Sequence, residues 1–100
     1  MTLHAKFACH KIEITTQQKA IKGEDGKPVT PYKHENVEMR TIHLNPVYAN
    51  NDPNHENSKF WDASPSGGLT LGTINPAAWQ YFTIGEEYYL DFKHAPKTAA

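Results

Sequence analysis

Leu3-His4-Ala5-Lys6-Phe7-Ala8-Cys9-His10-Lys11-Ile12-Glu13-Ile14 places apolar side chains at positions 3, 5, 7 and 9, and then at 12 and 14. A period of two marks a strand with one buried face. In a regular strand the move from odd to even positions would turn Ile12 and Ile14 away from the face holding Phe7 and Cys9. One extra residue near His10 and Lys11, a β-bulge, swaps the faces and accounts for the change. The chain is thus expected to open with a long, bent strand carrying a buried thiol at Cys9.

A second long strand is expected to follow. Val37, Met39 and Thr41 alternate with Glu38 and Arg40, after which Ile42, Leu44 and Tyr48 take up even positions. A second bulge or bend near Thr41 is the simplest account, with Pro46 near the strand's end or on an unpaired edge. Between the two strands, residues 16–36 hold Gly23, Gly26, Pro28 and Pro31 among charged and polar residues and keep no regular period. This excursion reads as a protruding hairpin or exposed turn with Glu24-Asp25-Gly26 at its tip.

The second half is punctuated more finely. Residues 50–58 are strongly polar and rich in turn formers, leading into one helical turn over 59–62. Ser64-Pro65-Ser66-Gly67-Gly68 is a tight reversal before a short strand with Leu69, Leu71 and Thr73 on one face. Asn75-Pro76 supplies an N-cap and a proline at the first helical position, which predicts the single substantial helix over residues 77–82. Beyond Gly85, Tyr88, Leu90 and Phe92 alternate in a last strand and are expected in the core together with Trp79 and Phe82. The expected fold is mainly β: a small, partly open barrel of the OB-like or SH3-like kind, or a compact sandwich, with one short helix. Residues 1–100 read as one domain with a protruding loop or hairpin at about residues 17–36.

Composition narrows the function. Ten Lys and Arg against eleven Asp and Glu give a net charge of −1, so no overall positive field draws the chain to phosphate backbones, and nucleic acid is disfavoured. One cysteine rules out an intrachain disulfide and a thiolate zinc cluster. No stretch approaches a membrane span and no leader pattern opens the chain, so synthesis in the cytoplasm is expected.

The motifs of catalysis are missing. His4, His10, His34, His43, His55 and His94 are scattered without metal-ligand spacing, and the bulge is expected to put His4 and His10 on opposite faces. Asp52, Asn54 and Glu56 alternate in the polar loop but lack the glycine and the distal glutamate of an EF-hand loop. Neither a nucleophile elbow nor a phosphate-cradling glycine loop occurs. No catalytic, metal or cofactor-binding residue is assigned. Partner contacts are assigned to Glu24, Asp25, Lys27 and Tyr32 on the excursion, and to Asn54, His55, Phe60 and Trp61 in the polar loop and the turn that follows it.

Lys6-Phe7 with Cys9, Leu44-Asn45-Pro46-Val47-Tyr48, Glu56-Asn57-Ser58-Lys59-Phe60-Trp61, Ser64-Pro65-Ser66-Gly67-Gly68 and the closing run over residues 82–92 together resemble a group of small tailed-bacteriophage proteins. The departure is residues 17–35, where that group tends to have a shorter loop. The resemblance implies a phage origin and a compact β fold, and it transfers no catalytic residue. The expected role is that of a capsid decoration or cement protein on the virion surface, bound to the major capsid protein and to copies of itself. The alternative is an early protein that binds a host factor, a nucleotide signal or single-stranded nucleic acid. Abundance in particles against abundance in the lysate separates the two.

Overall fold

The computed structural model describes residues 3–50 and 52–97. Its strands are β1 (Leu3–Ala20), β2 (His34–Pro46), β3 (Leu69–Thr73) and β4 (Glu87–Phe92), and its helices are α1 (Glu56–Trp61) and α2 (Pro76–Trp79). The strands form one antiparallel sheet in the order β3-β2-β1-β4, so the protein is mainly β. β3 and β4 are the two edges and do not pair with each other, which leaves the sheet open.

The bulge falls where the alternation changes phase. Cys9 stands opposite Leu44 and Lys11 opposite His43, so His10 is the extra residue. Ala5, Phe7, Cys9, Ile42, Leu44 and Trp79 form the buried core, and Ile12 packs against it from beyond the bulge. Rows from all four strands meet on this face, with Leu69 from β3 and Tyr88 and Leu90 from β4. Arg40 closes one end of the core, its guanidinium 4.9 Å from the centre of the Trp79 ring and its Nε donating to Glu38 at 2.8 Å. Such a stack lets the charged head stay in water while the indole is covered.

Several expectations are corrected. No second bulge occurs near Thr41: the β1–β2 register runs without a break from Lys11↔His43 to Ala20↔His34. The odd apolar residues Val37 and Met39 lie on the opposite face from Ile42 and Leu44, where Met39 lies over Gly72 of β3. The helix after Asn75 is only Pro76–Trp79, and α1, which starts at Glu56, is the longer of the two. Asn75 does cap α2, its Oδ1 accepting from the Ala77 N–H at 3.1 Å. Phe92 shares the core-facing row of β4 but is 49% exposed, because its partner Leu3 lies at the margin of the sheet and, among the described residues, only the Phe60 ring stacks on it, at 6.0 Å. His10 does not oppose His4: its ring lies 6.0 Å from His43, on the same outer side as His4, because the bulged residue itself turns outward.

α1 takes the place beside β1 that β2 leaves when it ends at Pro46. Asn57, fully buried, points its amide at the backbone of Lys6: Oδ1 accepts from the Lys6 N–H and Nδ2 donates to the Lys6 and Val47 carbonyls, each at 2.7 Å. A side-chain amide thus stands in for the missing peptide unit of a strand and satisfies ladder groups that would otherwise be orphaned. His55 caps the helix by accepting from the Asn57 N–H at 3.0 Å, and Trp61 packs on Phe7 with ring centres 6.0 Å apart.

Candidate partner-binding surface

β1 and β2 are much longer than their neighbours. β4 pairs with β1 only over Leu3 to Ala8, and β3 pairs with β2 only over Arg40 to Leu44. From Thr15↔Met39 outward to Ala20↔His34 the sheet is reduced to two strands. This arm gives the molecule principal extents of 58 × 35 × 19 Å and a radius of gyration of 18.3 Å. A compact domain of this size would have about 13 Å.

The tip of the arm is a small structured turn. Gly23 and Lys27 bond through their backbones at 2.8 Å, and the Asp25 carboxylate accepts from the Lys27 N–H at 2.9 Å. Gly26 sits at φ 77°, a conformation that favours glycine. Glu24, Asp25, Lys27 and Tyr32 all project into solvent at this end, Tyr32 with its ring 6.1 Å from that of His34. The other four sequence-assigned residues lie together at α1. Asn54 is exposed and its N–H is held by Asp52 at 2.9 Å, Phe60 is partly exposed, while His55 and Trp61 are engaged as helix cap and core cover. The eight residues thus form two groups on separate elements.

Three further features join distant parts of the chain. On the outer face Lys6 Nζ lies 3.4 Å from Glu87 and 3.7 Å from Glu56, over the Tyr89 ring at 5.6 Å. Partial burial works against the Lys6 ammonium, but Tyr89, Glu87 and Glu56 outweigh it and raise its pKa. The Glu56 carboxyl is held below its usual range, first by its own backbone N–H at the start of α1, with Tyr89, His55 and Lys6 adding to the effect. Across the strands, Glu13 Oε1 meets His43 Nε2 at 2.6 Å, and His43 Nδ1 lies 3.4 Å from the Thr70 hydroxyl. The bond to His43, and then the charge of Lys11, lowers the pKa of Glu13. This row lies on the outer face of the sheet with the Glu13 side chain 45% exposed, so it acts as cross-strand pairing. Among the described residues no three His, Cys, Asp or Glu side chains gather as a metal site requires.

Between the open edges lies an apolar cavity of about 460 Å³ lined by Leu44, Leu69, Leu71, Phe82, Tyr88 and Leu90. The Tyr88 hydroxyl there is already committed, accepting from the Thr83 N–H at 2.8 Å and donating to the Tyr81 carbonyl at 3.1 Å. Neither this cavity nor the Lys6 cluster was legible in the sequence, since each assembles residues from several separated segments. The arm had two signals in the sequence, the two long strands expected beside two short ones and the excursion at about residues 17–36 expected to protrude. No helix among the described residues is long and apolar enough to cross a membrane.

The fold and surface define an open four-stranded antiparallel sheet with a projecting two-stranded arm. Compared with family models, curated proteins and solved structures, the chain matches none.

Proposed function

We propose that the protein is a non-enzymatic structural component of a tailed-phage particle, seated on the capsid surface as a decoration protein, with the major capsid protein and copies of itself as partners. The observation that carries the reading is the arm: a ribbon of two strands with neither edge paired among the described residues and largely exposed side chains. An isolated pair of strands is marginal in water, and a third strand or a packed surface is what stabilises it. Such an arm is suited to lying across a neighbouring subunit, where backbone pairing supplies affinity and the tip side chains supply fit. The phage setting rests on the sequence resemblance described above.

Quantitative mass spectrometry of purified particles against infected-cell lysate tests it. Copies in stoichiometric ratio to the major capsid protein are the expected result, and absence from particles would overturn it. The apolar cavity between β3 and β4 favours the second reading, a protein that captures a host factor or small ligand in the infected cell. Depletion from particles with abundance in the lysate would support that one.

A further inference from the structure

The backbone of β1 shows which of its groups lack a partner. Cys9, before the bulge, turns its N–H and carbonyl toward the β4 side, bonding Glu86 at 3.0 Å and Gly85 at 2.8 Å. The extra residue His10 reverses that parity. At the far end the Ile21 N–H donates inward to the Lys33 carbonyl at 2.9 Å. With no register shift other than the one at the bulge, residues 11, 13, 15, 17 and 19 therefore bond to β2. Ile12, Ile14, Thr16, Gln18 and Ala20 direct their N–H and carbonyl groups away from it, along an edge that β4 does not cover. Among the described residues this is a strand-length row of unpaired donors and acceptors.

Charges on an exposed edge ordinarily discourage pairing, and Lys11, Glu13 and Lys19 could serve only that purpose. Their spacing does more. For two copies of β1 laid antiparallel about a two-fold axis, the hydrogen-bond parity requires outward residues to meet outward residues. With Thr16 on the axis, Ile14 faces Gln18 and Ile12 faces Ala20, while Glu13 of each copy lies opposite Lys19 of the other. Moving the axis to Thr15 sets Lys11 against Lys19. Moving it to Ile14 drives Lys19 toward Cys9, whose outward groups are already taken by Gly85 and Glu86. Lys19 makes no ion pair among the described residues, and Glu13 meets both His43 and Lys11 through Oε1, leaving Oε2 free of either. One register thus combines full backbone pairing with two complementary charge pairs.

We propose that the free edge of β1 beyond the bulge is a homodimer interface, in which Ile12 to Ala20 of two copies pair antiparallel about Thr16 to make a continuous four-stranded arm. The partner is a second copy because the strand is complementary to itself. This inference stands whether or not the protein resides in a particle. It converts the marginal ribbon into a sheet with paired strands at its centre.

The test is sedimentation equilibrium together with amide hydrogen exchange read residue by residue on the full chain over a range of concentrations. The expected result is a mass twice the 11.3 kDa of one chain at high concentration. The amides of Ile14, Thr16 and Gln18 gain protection in step with it, while those of Thr15, Gln17 and Lys19 are protected by β2 throughout. Thr16→Pro removes only an outward N–H, so it should abolish the dimer while the odd-numbered amides stay protected, showing that the monomer is folded. Glu13→Lys should weaken association by about tenfold, and the double variant Glu13→Lys with Lys19→Glu should restore it. A single-chain mass at the highest concentrations would overturn the proposal. So would a dimer that survives Thr16→Pro, or one in which the even-numbered amides exchange freely.

Discussion

Asn57→Ala should weaken the fold far more than its place on a short surface helix suggests. The Asn57 amide makes three bonds of 2.7 Å, and their orientation is unambiguous because Lys6 N–H can only donate and the two carbonyls can only accept. Truncation strips the partner from the Lys6 N–H and from the Val47 carbonyl, whereas the Lys6 carbonyl keeps the Val47 N–H at 3.0 Å. Two groups orphaned at about 1–3 kcal/mol each would cost about 2–6 kcal/mol. The bonds are only partly buried and water can enter the space left, so about 2–4 kcal/mol is the expected loss, out of about 5–15 kcal/mol for a domain of ordinary stability. Asn57→Asp should be worse at neutral pH, since a carboxylate presents oxygen to two carbonyls. Its pKa should rise, so the deficit should narrow on acidification, as the protonated acid regains one donor. Equilibrium urea unfolding at several pH values measures both variants. A loss under about 1 kcal/mol for Asn57→Ala would refute the idea that this amide replaces a strand.

Phe7→Ala should cost about 3–5 kcal/mol by emptying the centre of the core, whereas Phe92→Ala, half exposed, should cost under about 1.5 kcal/mol; a larger loss at Phe92 in thermal unfolding would show that the end of β4 is covered. Glu13 has its pKa lowered by His43 and then by Lys11, so its contribution to stability is present above the unfolded carboxylate pKa and lost as pH falls through the lower folded one. Carboxyl NMR titration should find that lowered value and its return toward the ordinary range in His43→Ala. Deleting His10 removes the extra residue and keeps Ile12 in phase with Phe7 and Cys9, so a cooperative melting transition should survive. Deleting Ala8 moves Cys9 off the core face and should abolish the transition.

Period-two alternation is a local property, which is why the strands at 3–14, 69–73 and 87–92 and the bulge at His10 could be placed from the order of residues alone. The cap at Asn75 was legible for the same reason, since a capping side chain and its target lie within one helical turn. What local order cannot carry is where a neighbouring strand stops. The alternation at 37–41 marked a strand but not which face would be covered, and Val37 and Met39 lie opposite the core because β2 holds an unbroken register with β1. Phe92 had the right phase for the core and stays half exposed because cover is short at the margin of the sheet. Asn57 is the sharpest case: in sequence it is a polar residue on a short helix, and only the ending of β2 at Pro46 creates the gap in the ladder that its amide fills. The unpaired edge of β1 arises in the same way, because pairing is decided by the lengths of strands far apart in the chain and by the burial that docking them achieves.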